Sequence, residues 1–155
     1  MSIIQIMENI FTFRNIKTSD YERCKNILSQ LTHKNEDFNI DKFSRLCSFL
    51  NSNHRIICCI YHDIEAEIEI IVGMSTIFIE PKLIHNCSCV GHIEDVVVDE
   101  KYRKMNVGKL MINELVNYAK QRGAYKVILD CDEDKVGFYR RCGFYKSSAQ
   151  MRINI

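Results

Sequence analysis

The segment 91–109, GHIEDVVVDEKYRKMNVGK, constrains this chain most. An apolar run, Val96-Val97-Val98, leads into a polar turn crowded with basic side chains, and a glycine and an amphipathic stretch follow. The pattern is that of a strand, a turn and a helix in succession. The first N–H groups of a helix have no partner inside it, so the turn presents free donors at the positive end of the helix dipole. That is a physical device for holding an anion such as a pyrophosphate. Two carboxylates, Glu94 and Asp95, stand just before the apolar run. A phosphate cradle beside acid–base groups points to group transfer from a phosphorylated carrier.

In the turn, Arg103-Lys104-Met105-Asn106-Val107-Gly108, glycine lets a ligand approach the backbone. Asn106 is the non-glycine type that best tolerates a left-handed conformation. The N–H groups of 105–109 would then converge on one oxyanion site, with charge added by Arg103, Lys104 or Lys109. Basic turns also precede helices without binding anything, so the turn alone leaves both readings open. Glu94 and Asp95 are neighbours, and neighbours in a regular strand point to opposite faces. Only one can face a substrate unless a β-bulge re-aims the backbone. The alternative is a pair bound to basic neighbours on an edge strand. In Asp130-Cys131-Asp132-Glu133-Asp134-Lys135-Val136-Gly137-Phe138-Tyr139 a strand ends and a helix begins. Tyr139 falls one turn into that helix, where a phenol either donates to a departing thiolate or anchors the core.

The 155 residues suit one domain, 1–155. A formal net charge of +1 gives no field that would draw nucleic acid. No stretch approaches the ~20 apolar residues of a membrane span. Glu8 interrupts the short apolar stretch at the N-terminus and no small-residue cleavage site follows, which argues against a signal peptide. The eight cysteines form no CxxC, and Cys24, Cys47, Cys58, Cys59, Cys131 and Cys142 are scattered through apolar segments. They read as buried, reduced thiols of a cytoplasmic protein. His85, Cys87 and Cys89 alternate, with His92 nearby, but such ligands spread over roughly 13–14 Å of strand, too far for one tetrahedral metal. No metal is expected.

Periodicity predicts strands over 10–16, 55–61, 68–79, 88–98, 125–130 and 144–153, the fifth buried on both faces. Gly73 suggests a bulge or bend. Helices are predicted from Tyr21 through Leu31, around Phe43 to Leu50, over 107–122 and over 134–141. The order implies a mixed α/β layer fold in which the strands flanking helix 107–122 are parallel neighbours, with a ligand entering at their C-terminal ends.

Together these motifs resemble the GNAT superfamily of acetyl-CoA-dependent N-acetyltransferases. The superfamily's turn reads Arg/Gln-x-x-Gly-x-Gly/Ala, and Asn106 stands here at the first glycine. GHIEDVVV with KYRKMNVGKL, then YKVILDCDEDKVGFYRRCGF, and PKLIH are most similar to the branch that acetylates glucosamine 6-phosphate. The resemblance covers nearly the whole chain and is strongest over 82–144. It implies an α/β (α+β) fold, a mixed central sheet flanked by helices, with splayed parallel strands in the middle.

The resemblance also implies site residues. Acetyl-CoA, as cosubstrate, would place its pyrophosphate on Lys104, Met105, Asn106, Val107, Gly108 and Lys109, beside Arg103. Its pantetheine amides would pair with the backbone of Val96, Val97 and Val98. Lys135 stands where the family often has an asparagine that binds the CoA arm. The sugar phosphate would draw on Thr32, Lys82, Leu83, Ile84 and His85, with Glu94 and Asp95, and Asp130 next to the amine. Tyr125 and Lys126 match positions that serve the neighbouring subunit's sugar site, which implies a homodimer. A family arginine aimed at the sugar phosphate is replaced by Asn154, and Arg152 lies two residues earlier on the same strand face.

The implied reaction is direct transfer to the 2-amino group, a step of UDP-N-acetylglucosamine biosynthesis. Glu94, with Asp95 and the Asp130 carbonyl, would orient the amine and accept its proton. The N–H near Val96 would stabilise the oxyanion and Tyr139 the leaving thiolate. Rival readings are an acetyltransferase for another small amine or a peptide amine, a CoA-binding module without turnover, and a cysteine/histidine metal-binding domain. Lys82, His85 and Lys126 favour an anionic substrate.

Overall fold

The longest strands arise where β-branched residues are densest, because such side chains are stiff and fit a pleated surface. The computed structural model describes residues 10–31 and 38–155. Strands β2 (His54–Asp63) and β3 (Ile68–Pro81) form an antiparallel hairpin. Strand β1 (Phe11–Asn15) pairs with β2, and β4 (Cys89–Val98) pairs with β3, both antiparallel. Strand β5 (Ala124–Leu129) runs parallel to β4 and closes a five-stranded mixed sheet in the order β1-β2-β3-β4-β5.

Alternation along β2 builds both sides of the core. Ile56, Cys58 and Ile60 face one layer, with Cys24 and Ile27 of α1 (Tyr21–Leu28) and Phe43 of α2 (Ile40–Phe49). Ile57 faces the opposite layer with Ile77 and Ile93, against Ile112, Leu115 and Ala119 of α3 (Val107–Gln121). Each buried isoleucine contributes about 2–3 kcal/mol. Gly91 permits the close approach of α3, since a Cβ there would lie 2.8 Å from that of Ala119. The last helix is α4 (Val136–Arg141).

Two ion pairs brace the α1 face. Arg14 grips Asp20 with two bonds of 2.7 and 2.8 Å, and the same carboxylate accepts the Lys17 N–H at 2.7 Å. Burial alone would raise the Asp20 pKa, but Arg14 and the Lys17 N–H hold it below its ordinary value. Asp99, at the end of β4, is buried and accepts from Arg23 and from the Lys101 N–H.

The sequence-based boundaries differ from the structure in informative places. Helix α1 stops at Leu28, short of Leu31. Strand β5 is not buried on both faces, because it is the last strand of the sheet and leaves Tyr125, Lys126 and Ile128 exposed. Residues 144–153 form no strand and are mostly exposed. Their β-prone pattern pairs with no strand of the chain itself. All eight cysteines are free, but only Cys24, Cys58 and Cys59 are buried, and Cys131 and Cys87 are exposed. Among the described residues no helix is long and apolar enough to cross a membrane.

Candidate active site

A β-bulge resolves the opposed directions of Glu94 and Asp95. Met74 pairs with Val97 and Thr76 with Glu94, so Ser75 alone faces Asp95 and Val96. The extra residue is absorbed at Asp95, whose φ of 53° is left-handed. Such a conformation costs about 1–2 kcal/mol for an L-residue, and aspartate is among the types that adopt it. Both carboxylates thereby border one cleft. Thr76 Oγ1 donates to Asp95 Oδ2 at 3.4 Å.

The cleft exists because the parallel strands part. Pairing of β4 with β5 ends at Ile93 and Leu129, and β4 continues through Val98 without a partner on that side. The gap holds about 710 Å³. Its floor includes Val96 and Val98, and its walls include Asp130 and Tyr139. The unpaired edge of β4 offers backbone donors and acceptors to an extended ligand.

At one end of the gap lies the turn before α3. Asn106 is left-handed, φ 60°, and α3 starts at Val107 without a side-chain cap. Lys104 is also left-handed, φ 66°. The helix N–H groups therefore face the cleft uncapped, ringed by Arg103, Lys104 and Lys109. These features fit a pyrophosphate. A Cβ on Gly108 would meet Cζ of Phe138 at 3.0 Å, so α4 leans directly on the first turn of α3. Tyr139 follows Phe138, and its ring meets those of Phe138 and Phe144 edge-on.

The electrostatics separate an acid from a base. Burial, then Cys131, Cys142 and Glu94, push the Tyr139 phenol up to about 12. It stays protonated at neutral pH and remains a hydrogen-bond donor. Burial also raises the pKa of Glu94, opposed by His92 and reinforced by Asp95, Asp130 and Glu80. Donor atoms of His92, Glu94 and Asp130 lie within 4.8 Å of one another, a concentration of acceptors that suits a cationic or polar nitrogen.

All four residues predicted as catalytic border this cleft, as do Val96, Val98, Arg103, Lys104, Asn106, Val107, Gly108, Lys109 and Lys135. Val97 instead turns its side chain into the core, and Met105 is exposed outside the lining. The Lys135 ammonium is bound to Asp134. Thr32 lies outside the described residues. Lys82, Leu83, Ile84 and His85 lie off the cleft lining, as do Tyr125, Lys126, Arg152 and Asn154. His85 rests on the Tyr125 ring at 4.3 Å, Lys126 leans over the same ring at 5.5 Å, and Arg152 donates to Asn154 at 2.9 Å. Sequence reasoning missed Glu80, which His92 contacts at 2.8 Å. The available signal was the polar alternation of His92 and Glu94 on one strand face opposite the end of β3.

The sequence matches the Acetyltransferase (GNAT) family over residues 13–144. It is 32% identical over 152 residues to glucosamine 6-phosphate N-acetyltransferase 1 of Dictyostelium discoideum, covering 96% of this chain and 93% of that protein. It is 35% identical over 144 residues to glucosamine 6-phosphate N-acetyltransferase of Candida albicans, covering 91% and 93%. The crystal structure of glucosamine-6-phosphate N-acetyltransferase from Arabidopsis thaliana superposes with a TM-score of 0.76 at 33% identity, covering 93% of this chain and 97% of that one.

Proposed function

The chain belongs to the GNAT acetyltransferase family, and from that premise we propose that it transfers acetyl from acetyl-CoA to the 2-amino group of glucosamine 6-phosphate. The parting of β4 from β5 beside Glu94, Asp95 and Tyr139 is the observation that carries this reading. The names of the relatives support the sugar phosphate as substrate.

Acetyl-CoA supplies an activated thioester. Arg103, Lys104 and the N–H groups up to Lys109 would hold its pyrophosphate, and the free edge of β4 would align its arm. Holding both reactants in one cleft removes up to about 7–11 kcal/mol of the barrier. Glu94, with its raised pKa, accepts the amine's proton, while Asp95 and the Asp130 carbonyl orient the nitrogen. The backbone N–H near Val96 would stabilise the developing oxyanion. Tyr139 stabilises the departing sulfur as a hydrogen-bond donor. Full transfer from a phenol near 12 to an ordinary thiolate near 8.5 would run about 5 kcal/mol uphill.

A homodimer completes the sugar site in this reading. Lys126 and Tyr125 stand on the exposed edge strand, and residues 144–155 run on beyond α4 without joining the sheet. An edge strand and a free β-prone arm are complementary surfaces for a second copy. The protein would then act in the cytoplasm, in amino-sugar activation toward UDP-N-acetylglucosamine.

A thiol-release assay with acetyl-CoA tests the substrate. Glucosamine 6-phosphate is expected to release CoA, and unphosphorylated glucosamine to do so poorly. Equal rates with both would rule out phosphate recognition and favour another small amine as substrate.

A further inference from the structure

His92 lies in mid-β4, between two carboxylates of different character. Its Nδ1 is 2.8 Å from Oε1 of Glu80. Glu80 also accepts from Lys82 at 2.6 Å, and this bond, with His92, holds its pKa low against the opposing effect of burial. Glu80 is therefore an ionised acceptor, and Nδ1 must carry the proton. The other nitrogen, Nε2, lies 3.0 Å from Oε1 of Glu94, is shut off from solvent and makes no aligned hydrogen bond. In the neutral ring that nitrogen presents a lone pair to a carboxylate. The contact is favourable only when a proton sits between the two atoms. Asp95 and Asp130 add negative charge on the cleft side, Asp130 being held by Gln150 at 2.8 Å, and Tyr139 faces Glu94 from α4. Among the described residues no cation is paired with Nε2, while Lys82 is paired with Glu80 at the far end.

We propose that Glu80, His92 and Glu94 form a proton relay that clears the amine's proton away from the reacting centre. The proposal rests on the reading of Glu94 as the group that accepts that proton. As the new C–N bond forms and the C–S pair leaves on sulfur, the N–H proton moves to Glu94 and from there to Nε2 of His92. The imidazolium is then balanced by Glu80, whose bond to Nδ1 never breaks. Once the amide product leaves, Nε2 returns the proton through Glu94, which lines the cleft, to water there. Glu94 touches the substrate. His92 is a positioning residue that acts through it, and Glu80 sets the tautomer.

The test is kcat as a function of pH for the full chain and for Glu94→Gln, His92→Gln and Glu80→Gln. Glu94→Gln is expected to lower kcat about 100-fold or more, and His92→Gln about tenfold, a part of the general-base contribution. His92→Gln should also move the acid limb of the profile to lower pH, because Glu94 alone binds a proton less tightly than the pair. KM for both substrates should hold. Glu80→Gln should shift the limb in the same direction with a smaller loss. Wild-type turnover in Glu94→Gln would remove the reading of Glu94 itself. A slow Glu94→Gln beside an unshifted limb in both His92→Gln and Glu80→Gln would overturn the relay alone. Should His92→Gln fail to fold, the limb of Glu80→Gln decides.

Discussion

The β2–β3 ladder and the β4–β5 ladder belong to one sheet but end differently. The first stays paired along the whole of β2, from His54–Phe78 to Asp63–Ile68. The second stops at Ile93–Leu129 with half of β4 still to run. Around the first ladder, Ile57, Cys58 and Ile77 are fully buried on both faces. Around the second, Tyr125, Lys126 and Ile128 remain exposed, and a left-handed aspartate interrupts the strand. Backbone pairing and apolar burial are concentrated away from the cleft, and withheld along it. The closed half supplies the rigidity against which the open half is positioned.

This division can be broken by measurement. Ile77→Ala, in the closed half, should cost about 4 kcal/mol of stability, read as a lower urea midpoint, while the remaining folded enzyme keeps its kcat. Tyr139→Phe should do the reverse, lowering kcat about 30- to 100-fold, or about 2–3 kcal/mol, with melting temperature and acetyl-CoA KM nearly unchanged. If it destabilised the fold as strongly as it slowed turnover, the two halves would not be functionally distinct.

Acid should find the closed half first. The Asp20 pKa is lowered on folding, so the unfolded chain binds the proton more tightly. Its stabilisation is complete above the ordinary aspartate range and is lost as pH falls below about 4. Arg14→Gln should reduce this loss of about 1–2 kcal/mol, the Lys17 N–H remaining, seen as a flatter midpoint-against-pH curve. The smallest effect belongs to the turn. Lys104→Ala should raise the acetyl-CoA KM about fivefold, close to 1 kcal/mol, and weaken its salt dependence without changing kcat.

What was legible in the sequence was whatever one segment decides by itself. The left-handed Asn106 and the uncapped start of α3 follow from residue chemistry over five positions. That Glu94 and Asp95 could share a face only through a bulge follows from the strand period, while the pairing of β3 shows that a bulge is present and falls opposite Ser75. Long-range facts were hidden. The apolar run in β5 looked like a buried strand, but its burial depends on how many strands lie beyond it. Residues 144–153 carry β propensity, which becomes a strand only if an edge is within reach. The contact between His92 and Glu80 joins residues twelve apart on adjacent strands, and the alternation of His92 with Glu94 marks a shared face without saying which residue of β3 lies beside it.

The contact of Phe138 with Gly108 carries a metrical consequence. It ties the turn before α3 to the helix that carries Tyr139 through one aromatic edge against one bare α-carbon. The span between those two stations is thus a fixed gauge. In the proposed function, a carrier with a shortened arm would moor at the turn yet leave its sulfur stranded short of Tyr139.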